Sequence, residues 1–341
     1  MGMKCAVFYE KNVVKIEERP LRPLQSDEVL IRVHACGICG TDEHIFQGDE
    51  GAAKTPRGTV LGHEFAGEIA QIGSAVTAFS KGDHVCVDPN KLCGHCDFCR
   101  RGVGHFCEQM VGIGTTVDGG FSEYCIVPTS QVYKVSPELP YEAAAMSEPV
   151  SCCLHGIRLC NIKCGNTVAV IGCGMIGLLM LQLAKLSGAA QIIAIEPIGE
   201  KRAAALSLGA DLAIDPRTQD VQAVLQTHSI TQIDAVIECV GKPETLEEAI
   251  AIAGKNSVVM MFGLTKPLDT IRVKPFELFK KEITLRSSFI NPYTFPDATR
   301  LIESGRLDVR SMIYQTAPLE ALPKLLADPK ALSKGKYIIT L

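Results

Sequence analysis

Four cysteines, Cys93, Cys96, Cys99 and Cys107, fall within 15 residues at C-x2-C-x2-C-x7-C spacing. Four thiolates close a tetrahedral Zn²⁺ shell and leave no open position, so the signal is strong for metal and weak for catalysis. His95 and His105 lie inside the same loop and read as surface residues, because four sulfurs suffice. An iron–sulfur cluster is the lesser alternative. A second set is scattered: Cys39 in GICGTDEH (37–44), His63 and Glu64 in GHEFAGE (62–68), and Glu148 in a Ser-Glu-Pro triplet. Cys, His and carboxylate suit a zinc that keeps one position open for a reactant. Spacing does not join them. Taken singly, His63 reads as a packed or capping histidine and Glu148 with Pro149 as a helix end.

Gly172-Cys173-Gly174-Met175-Ile176-Gly177 is a GxGxxG run that follows a β-branched strand and opens a helical pattern. In that context the glycines serve a tight turn, close backbone approach to a pyrophosphate, and helix–sheet packing. The free N–H groups at Met175 and Ile176 would face the anion. Glu196 stands 19 residues beyond Gly177, where a carboxylate accepts ribose hydroxyls and repels a 2′-phosphate. That favours NAD over NADP. Lys201, on the next helix, is within reach of the same ribose. The alternative reading makes Glu196 a strand end in water and Lys201 a solvated helix residue.

These residues need particular elements beneath them. EVLIRVHAC (28–36), EFAGEIAQIG (64–73), GDHVCVDP (82–89) and GFSEYCIVP (120–128) are β-rich runs punctuated by Gly, Pro and Asp. From about residue 165, short apolar strands alternate with helical patterns of 10–13 residues, which implies a parallel sheet covered on both faces. The uncharged stretch 164–184 is long enough to span a bilayer, but its β-branched start and three glycines read as strand, turn and helix. After about 287 the pattern is mixed again, closing on the strand GKYIITL. The expected fold is α/β. A β-rich domain (1–150 and 288–341) carries an inserted doubly wound Rossmann domain (151–287).

Composition limits the partners. The 341 residues carry 34 basic and 38 acidic side chains, a net charge of -4, with 47% hydrophobic and 21% charged residues. This is ordinary globular usage without a basic stripe, so neither nucleic acid nor a membrane is an expected partner. Fifteen cysteines form an odd set in a long chain, and the first residues lack an apolar signal core. Ala6 stands where a myristoylation signal has Ser or Thr. Reduced thiols in the cytoplasm are expected, with most cysteines outside the metal motifs buried as small apolar groups.

GICGTDEH, GHEFAG, the four-cysteine lobe, the Ser-Glu-Pro triplet and the glycine turn occur in the order seen in the zinc-dependent medium-chain alcohol dehydrogenases. The chain resembles that family over essentially its whole length, and Glu148 makes it most similar to the sorbitol (polyol) dehydrogenase branch. The resemblance implies a GroES-like catalytic domain beside the Rossmann domain, two zinc ions per chain, and NAD. It implies Cys39, His63 and Glu148 at a catalytic zinc, with Glu64 as a ligand or exchangeable partner. Cys93, Cys96, Cys99 and Cys107 would hold a structural zinc. Thr41 and His44 match positions that pass the substrate proton outward while hydride goes to NAD⁺. The implied reaction is oxidation of a secondary alcohol, foremost a sorbitol- or iditol-like polyol, to a ketose, by a homotetramer or homodimer. A threonine 3-dehydrogenase-like amino-alcohol dehydrogenase and a non-catalytic regulatory relative bearing a zinc-ribbon lobe are the alternatives. Three departures touch the pocket. Ile45 replaces the branch's tyrosine after the motif histidine, and Ile290 and Asn291 stand where an Arg-Tyr pair binds hydroxyls.

Overall fold

The structure, a computed structural model, describes residues 2–49 and 54–341. The chain divides into two compact units, Met1–Ser151 with Asn291–Leu341, and Cys152–Ile290. The first unit begins with the hairpin β1 (Gly2–Glu10) and β2 (Val13–Pro20), then β3 (Glu28–Gly37) and α1 (Gly40–Gln47). β4 (Glu64–Ile72) and β5 (His84–Val87) follow. The lobe segment carries β6 (Asn90–Lys91), α2 (Asp97–Arg100) and β7 (Val111–Gly112). β8 (Tyr124–Pro128), β9 (Val132–Lys134) and α3 (Tyr141–Ala145) lead into α4 (Ser147–Cys160), within which the chain passes to the second unit.

The second unit alternates β10 (Thr167–Ile171), α5 (Met175–Leu186), β11 (Gln191–Ile195), α6 (Gly199–Ser207), β12 (Leu212–Ile214) and α7 (Val221–Thr227). It continues through β13 (Ala235–Glu238), α8 (Pro243–Ile252), β14 (Val258–Met261), α9 (Pro275–Lys281) and β15 (Thr284–Ser287). Its sheet runs β12-β11-β10-β13-β14-β15, all parallel. The order reverses between β10 and β13, the switch at which such sheets take up ligands. β10 is buried along nearly its whole length because helices cover both faces. The uncharged stretch 164–184 is β10, the turn and most of α5, and among the described residues no helix is long and apolar enough to cross a membrane.

Returning to the first unit, the chain forms α10 (Phe295–Glu303), β16 (Ile313–Pro318), α11 (Leu322–Leu326), α12 (Pro329–Leu332) and β17 (Lys336–Thr340). The main sheet of this unit runs β16-β17-β3-β4-β5-β9, with β8 on β3. The closing strand therefore lies against β3, pairing Ile338 with Gly37. The units part at 151/152 and 290/291 rather than at the 150 and 287 read from the sequence. The later return has a physical cause, since Asn291 and Thr294 bond to Ser151 of the first unit. Helix α9 is an element that the sequence pattern does not announce. None of its residues is buried, so it carries no apolar periodicity to read.

Candidate functional site

The zinc-capable cluster is built where two strands of the first unit begin and end. β3 stops at Gly37, and Cys39 caps α1 in an extended conformation. Its backbone N–H donates to the Asp42 carboxylate at 2.9 Å, a capping arrangement that fixes the thiol at the helix start. β4 opens at Glu64, directly after His63. One ligand atom each from Cys39, His63 and Glu64 lies within 4.8 Å of the others. Asp42 is fully buried and its second oxygen stands 3.5 Å from His63 Nδ1. Burial pushes the His63 imidazole down, and the Asp42 and Cys39 charges outweigh it, holding His63 well above the usual histidine range.

Lys336 closes this cluster from β17. It is 3% exposed, ion-paired with Glu64, and donates to the Ile38 carbonyl at 2.9 Å. Burial pushes its ammonium down. Glu64, Cys39 and Glu148 more than offset that, so Lys336 stays above the usual lysine range. A β-carbon at Gly37 would land on the Glu64 and Lys336 side chains, so only glycine leaves room for the pair. One oxygen of Glu64 bonds no neighbour although it is buried. Such an orphan next to a thiol and an imidazole fits a site made for a cation.

Glu148 lies in the first turn of α4, 8% exposed, and its charge reaches Lys336. It is not among the three residues whose ligand atoms lie within 4.8 Å of one another. Thr41 is half-buried on α1, and His44, 38% exposed, has its Nδ1 3.4 Å from Asp49. Cys93, Cys96, Cys99 and Cys107 likewise bring their sulfurs within 4.8 Å. Backbone N–H groups of His95 and Cys96 pull the Cys93 thiol down, and those of Cys99 and Glu108 lower Cys96 to about 6. Cys99 is pushed up to about 12 by burial. Sulfurs this crowded become four thiolates only around a cation. His95 turns Nδ1 to the Cys93 carbonyl at 2.8 Å, and the His105 ring packs on Phe106.

The second unit holds the glycine turn. Gly172 adopts φ +87°, which a side chain rarely tolerates, and a β-carbon at Gly177 would collide with the Gly172 carbonyl. A β-carbon at Gly174 would meet nothing within 4 Å, so the backbone there lies open at the start of α5. That bare patch at a helix N-terminus is the shape a pyrophosphate needs. Glu196, just beyond β11, is 4% exposed and accepts N–H bonds from Cys173 and Ile198, both at 2.8 Å. It is thus tied to the glycine turn rather than being a strand end in water. Lys201 lies on α6, and its charge is felt at the Cys173 thiol.

Comparison with known proteins places these features in a family. Residues 25–137 match the alcohol dehydrogenase GroES-like domain, and residues 176–304 match the zinc-binding dehydrogenase family. L-threonine 3-dehydrogenase of Caldanaerobacter subterraneus subsp. tengcongensis is 34% identical over 334 residues, 95% of this chain and 94% of that one. Sorbitol dehydrogenase of Bacillus subtilis is 33% identical over 324 residues, 94% of this chain and 91% of that one. The chain belongs to the zinc-dependent medium-chain dehydrogenases. A crystal structure from Sinorhizobium meliloti 1021, described as a zinc-binding dehydrogenase bound to NADP, is similar at a TM-score of 0.96. Its identity is 33%, and both chains are covered completely.

As a zinc-dependent medium-chain dehydrogenase the protein is an oxidoreductase of alcohols that uses zinc and a nicotinamide dinucleotide. Two residues of its metal cluster escape a reading of the sequence. Asp42 had a signal, since an acid three residues after the cap of a helix completes a capping box. Lys336 had a weaker one, a charge at the head of an otherwise buried strand. Two of the three departures lie in the interior of the first unit. Ile45 is 4% exposed and belongs to the apolar core of the first unit, so it faces that core. Asn291 is 2% exposed and spends its amide on Asn90, Asp88 and Ser151. It therefore offers no free amide to a substrate hydroxyl.

Proposed function

We propose that this dehydrogenase oxidises a secondary alcohol of a polyol to a ketose, with NAD⁺ as hydride acceptor. The observation that carries the reading is the convergence of partly exposed Cys39 with buried His63 and Glu64 in one cluster, with the Glu148 charge reaching its lysine. Cys39, His63 and Glu148 would hold the catalytic zinc and Glu64 would stand by as an exchangeable fourth group. Cys93, Cys96, Cys99 and Cys107 would hold the structural one. The chemistry that such an ion would supply is polarisation of the alcohol oxygen, and the dinucleotide would supply the hydride acceptor. The protein's own residues would carry the proton: the Thr41 hydroxyl would accept it while passing its own proton on through the nicotinamide ribose, and His44, partly exposed and backed by Asp49, would hand a proton to solvent. The glycine turn seats the pyrophosphate, with Glu196 and Lys201 at the adenosine ribose.

Relatives named for sorbitol, D-arabinitol and D-altritol, 30–33% identical, support a polyol, and one named for L-threonine, 34% identical, supports the second reading. Glu196 supports NAD over NADP. Fifteen free thiols fit a reducing compartment such as the cytoplasm. Exposed Phe276 and Phe279 on α9, near the edge strand β15 in sequence, support a homo-oligomer. A panel of C4–C6 polyols, L-threonine and simple alcohols, followed by NADH formation, tests the substrate class. A polyol should exceed L-threonine at least tenfold in kcat/KM; the reverse order overturns the polyol reading. In the same assay Cys39→Ser should lose one of two zinc ions and turnover while still binding NADH.

A further inference from the structure

Asn291 is the first residue of the chain's return to the first unit, and its side chain is a buried hub. Its amide oxygen accepts from Asn90 Nδ2 at 2.7 Å, and its Nδ2 donates to Asp88 Oδ1 at 3.2 Å and to Ser151 Oγ at 2.8 Å. Ser151, itself fully buried, donates its hydroxyl proton to the Glu148 carbonyl at 2.6 Å. The Thr294 hydroxyl donates to the Ser151 carbonyl at 2.7 Å. Three hydrogen bonds thus converge on the first turns of α4, the helix that carries Glu148.

The other end of the hub reaches the sheet. Asp88 directly follows β5, β5 pairs with β4, and β4 begins at Glu64. A continuous path therefore runs from the Cys39–His63–Glu64 cluster along the sheet, through Asp88, Asn291 and Ser151, to Glu148. The residue before the hub is held in an unfavourable state, because Ile290 adopts φ +45°, rare for a β-branched side chain. Conformations of that kind persist where the surroundings over-determine them, as the bonds of Asn291 and Thr294 do here.

We propose that Asn291 is a positioning residue for Glu148, fixing the helix-borne ligand against the sheet-borne ligands of the catalytic zinc. This rests on the ligand set proposed above. Zinc geometry tolerates displacements of only a few tenths of an ångström, so loosening the first turn of α4 should weaken the hold on that ion. The four-thiolate zinc and the dinucleotide should be unaffected.

The test is chelator-driven zinc release from the purified holoenzyme, with turnover and NADH affinity measured in parallel. Asn291→Ala should release one of two zinc ions at least tenfold faster than the unaltered protein and lower kcat, with NADH affinity unchanged. Asn291→Asp places a second carboxylate beside Asp88, so the pair keeps the clamp only while sharing a proton. Its release rate, as a ratio to the unaltered protein at each pH, should approach one below about pH 6 and rise towards the alanine variant above about pH 8. Ser151→Ala, which removes only the hydroxyl, should also speed release and serves if Asn291→Ala does not fold. Release at the normal rate from all three variants at every pH overturns the proposal. An unaltered protein that carries one zinc per chain overturns the ligand set first, and this inference with it.

Discussion

At the scale of single residues, the Glu64–Lys336 pair is the decisive contact of the metal cluster. Both side chains are almost wholly shielded from water. A buried pair is weak evidence of stability, but removing one partner strands the other charge, at a cost of about 3–5 kcal/mol. Lys336→Met should therefore lower the unfolding free energy of the metal-free protein by about that amount, measured in urea. Adding Glu64→Gln should recover at least about half of the loss, because the stranded charge is gone. Additive losses would show that the two side chains do not share one interaction. The ten cysteines outside the metal motifs follow simpler physics. Seven are buried, Cys152 and Cys239 are partly exposed and Cys164 is exposed. Burial raises the thiols of Cys86 and Cys173 to about 12, which leaves them inert.

At the scale of elements, the β10–turn–α5 unit separates two demands usually merged in one motif. Gly177 is required by the fold, since any side chain there strikes the Gly172 carbonyl. Gly174 is required only by a ligand, since its surroundings within the protein are empty to 4 Å. Gly174→Ala should thus leave thermal stability nearly unchanged, within about 0.5 kcal/mol, and weaken NADH binding at least tenfold. Gly177→Ala should lower both. Fluorescence titration with NADH, free of tryptophan in this chain, alongside a melting curve distinguishes them. Equal stability losses in the two variants would refute the separation.

At the scale of the whole molecule, stability depends on pH through Asp88, a carboxylate partly withdrawn from water. Burial raises Asp88 from 3.8 to about 6, against the pull of the Asn90 N–H and the Asn291 amide. Its folded value lies above its unfolded one, so the folded state holds the extra proton between these limits. Stability from this group is full below about pH 4 and falls as pH rises through about 6. The total is at most about 3 kcal/mol, since each tenfold change in proton affinity is worth about 1.4 kcal/mol. Asp88→Asn keeps the accepting oxygen and removes the ionisation. Its unfolding free energy should match the unaltered protein near pH 4 and exceed it by about 2–3 kcal/mol at pH 7. A difference independent of pH would contradict this account.

The parts set by local rules were legible in the residues themselves. A glycine turn between a β-branched strand and an apolar helix has one backbone solution, and four cysteines within 15 residues meet by chain connectivity alone. Strand periodicity likewise announced the β-rich and alternating halves. The zinc-capable cluster was different, because Cys39 follows β3, His63 and Glu64 stand at the start of β4 and Lys336 heads β17, and no local rule joins strands so far apart. Only the sheet order set Lys336 beside Glu64, and only the return of the chain at Asn291 revealed that this residue serves the interior rather than a pocket. Sequence determines which groups are present and which neighbours must bond. Tertiary packing decides which distant charges share one dry space, where an unpaired group is too costly to persist.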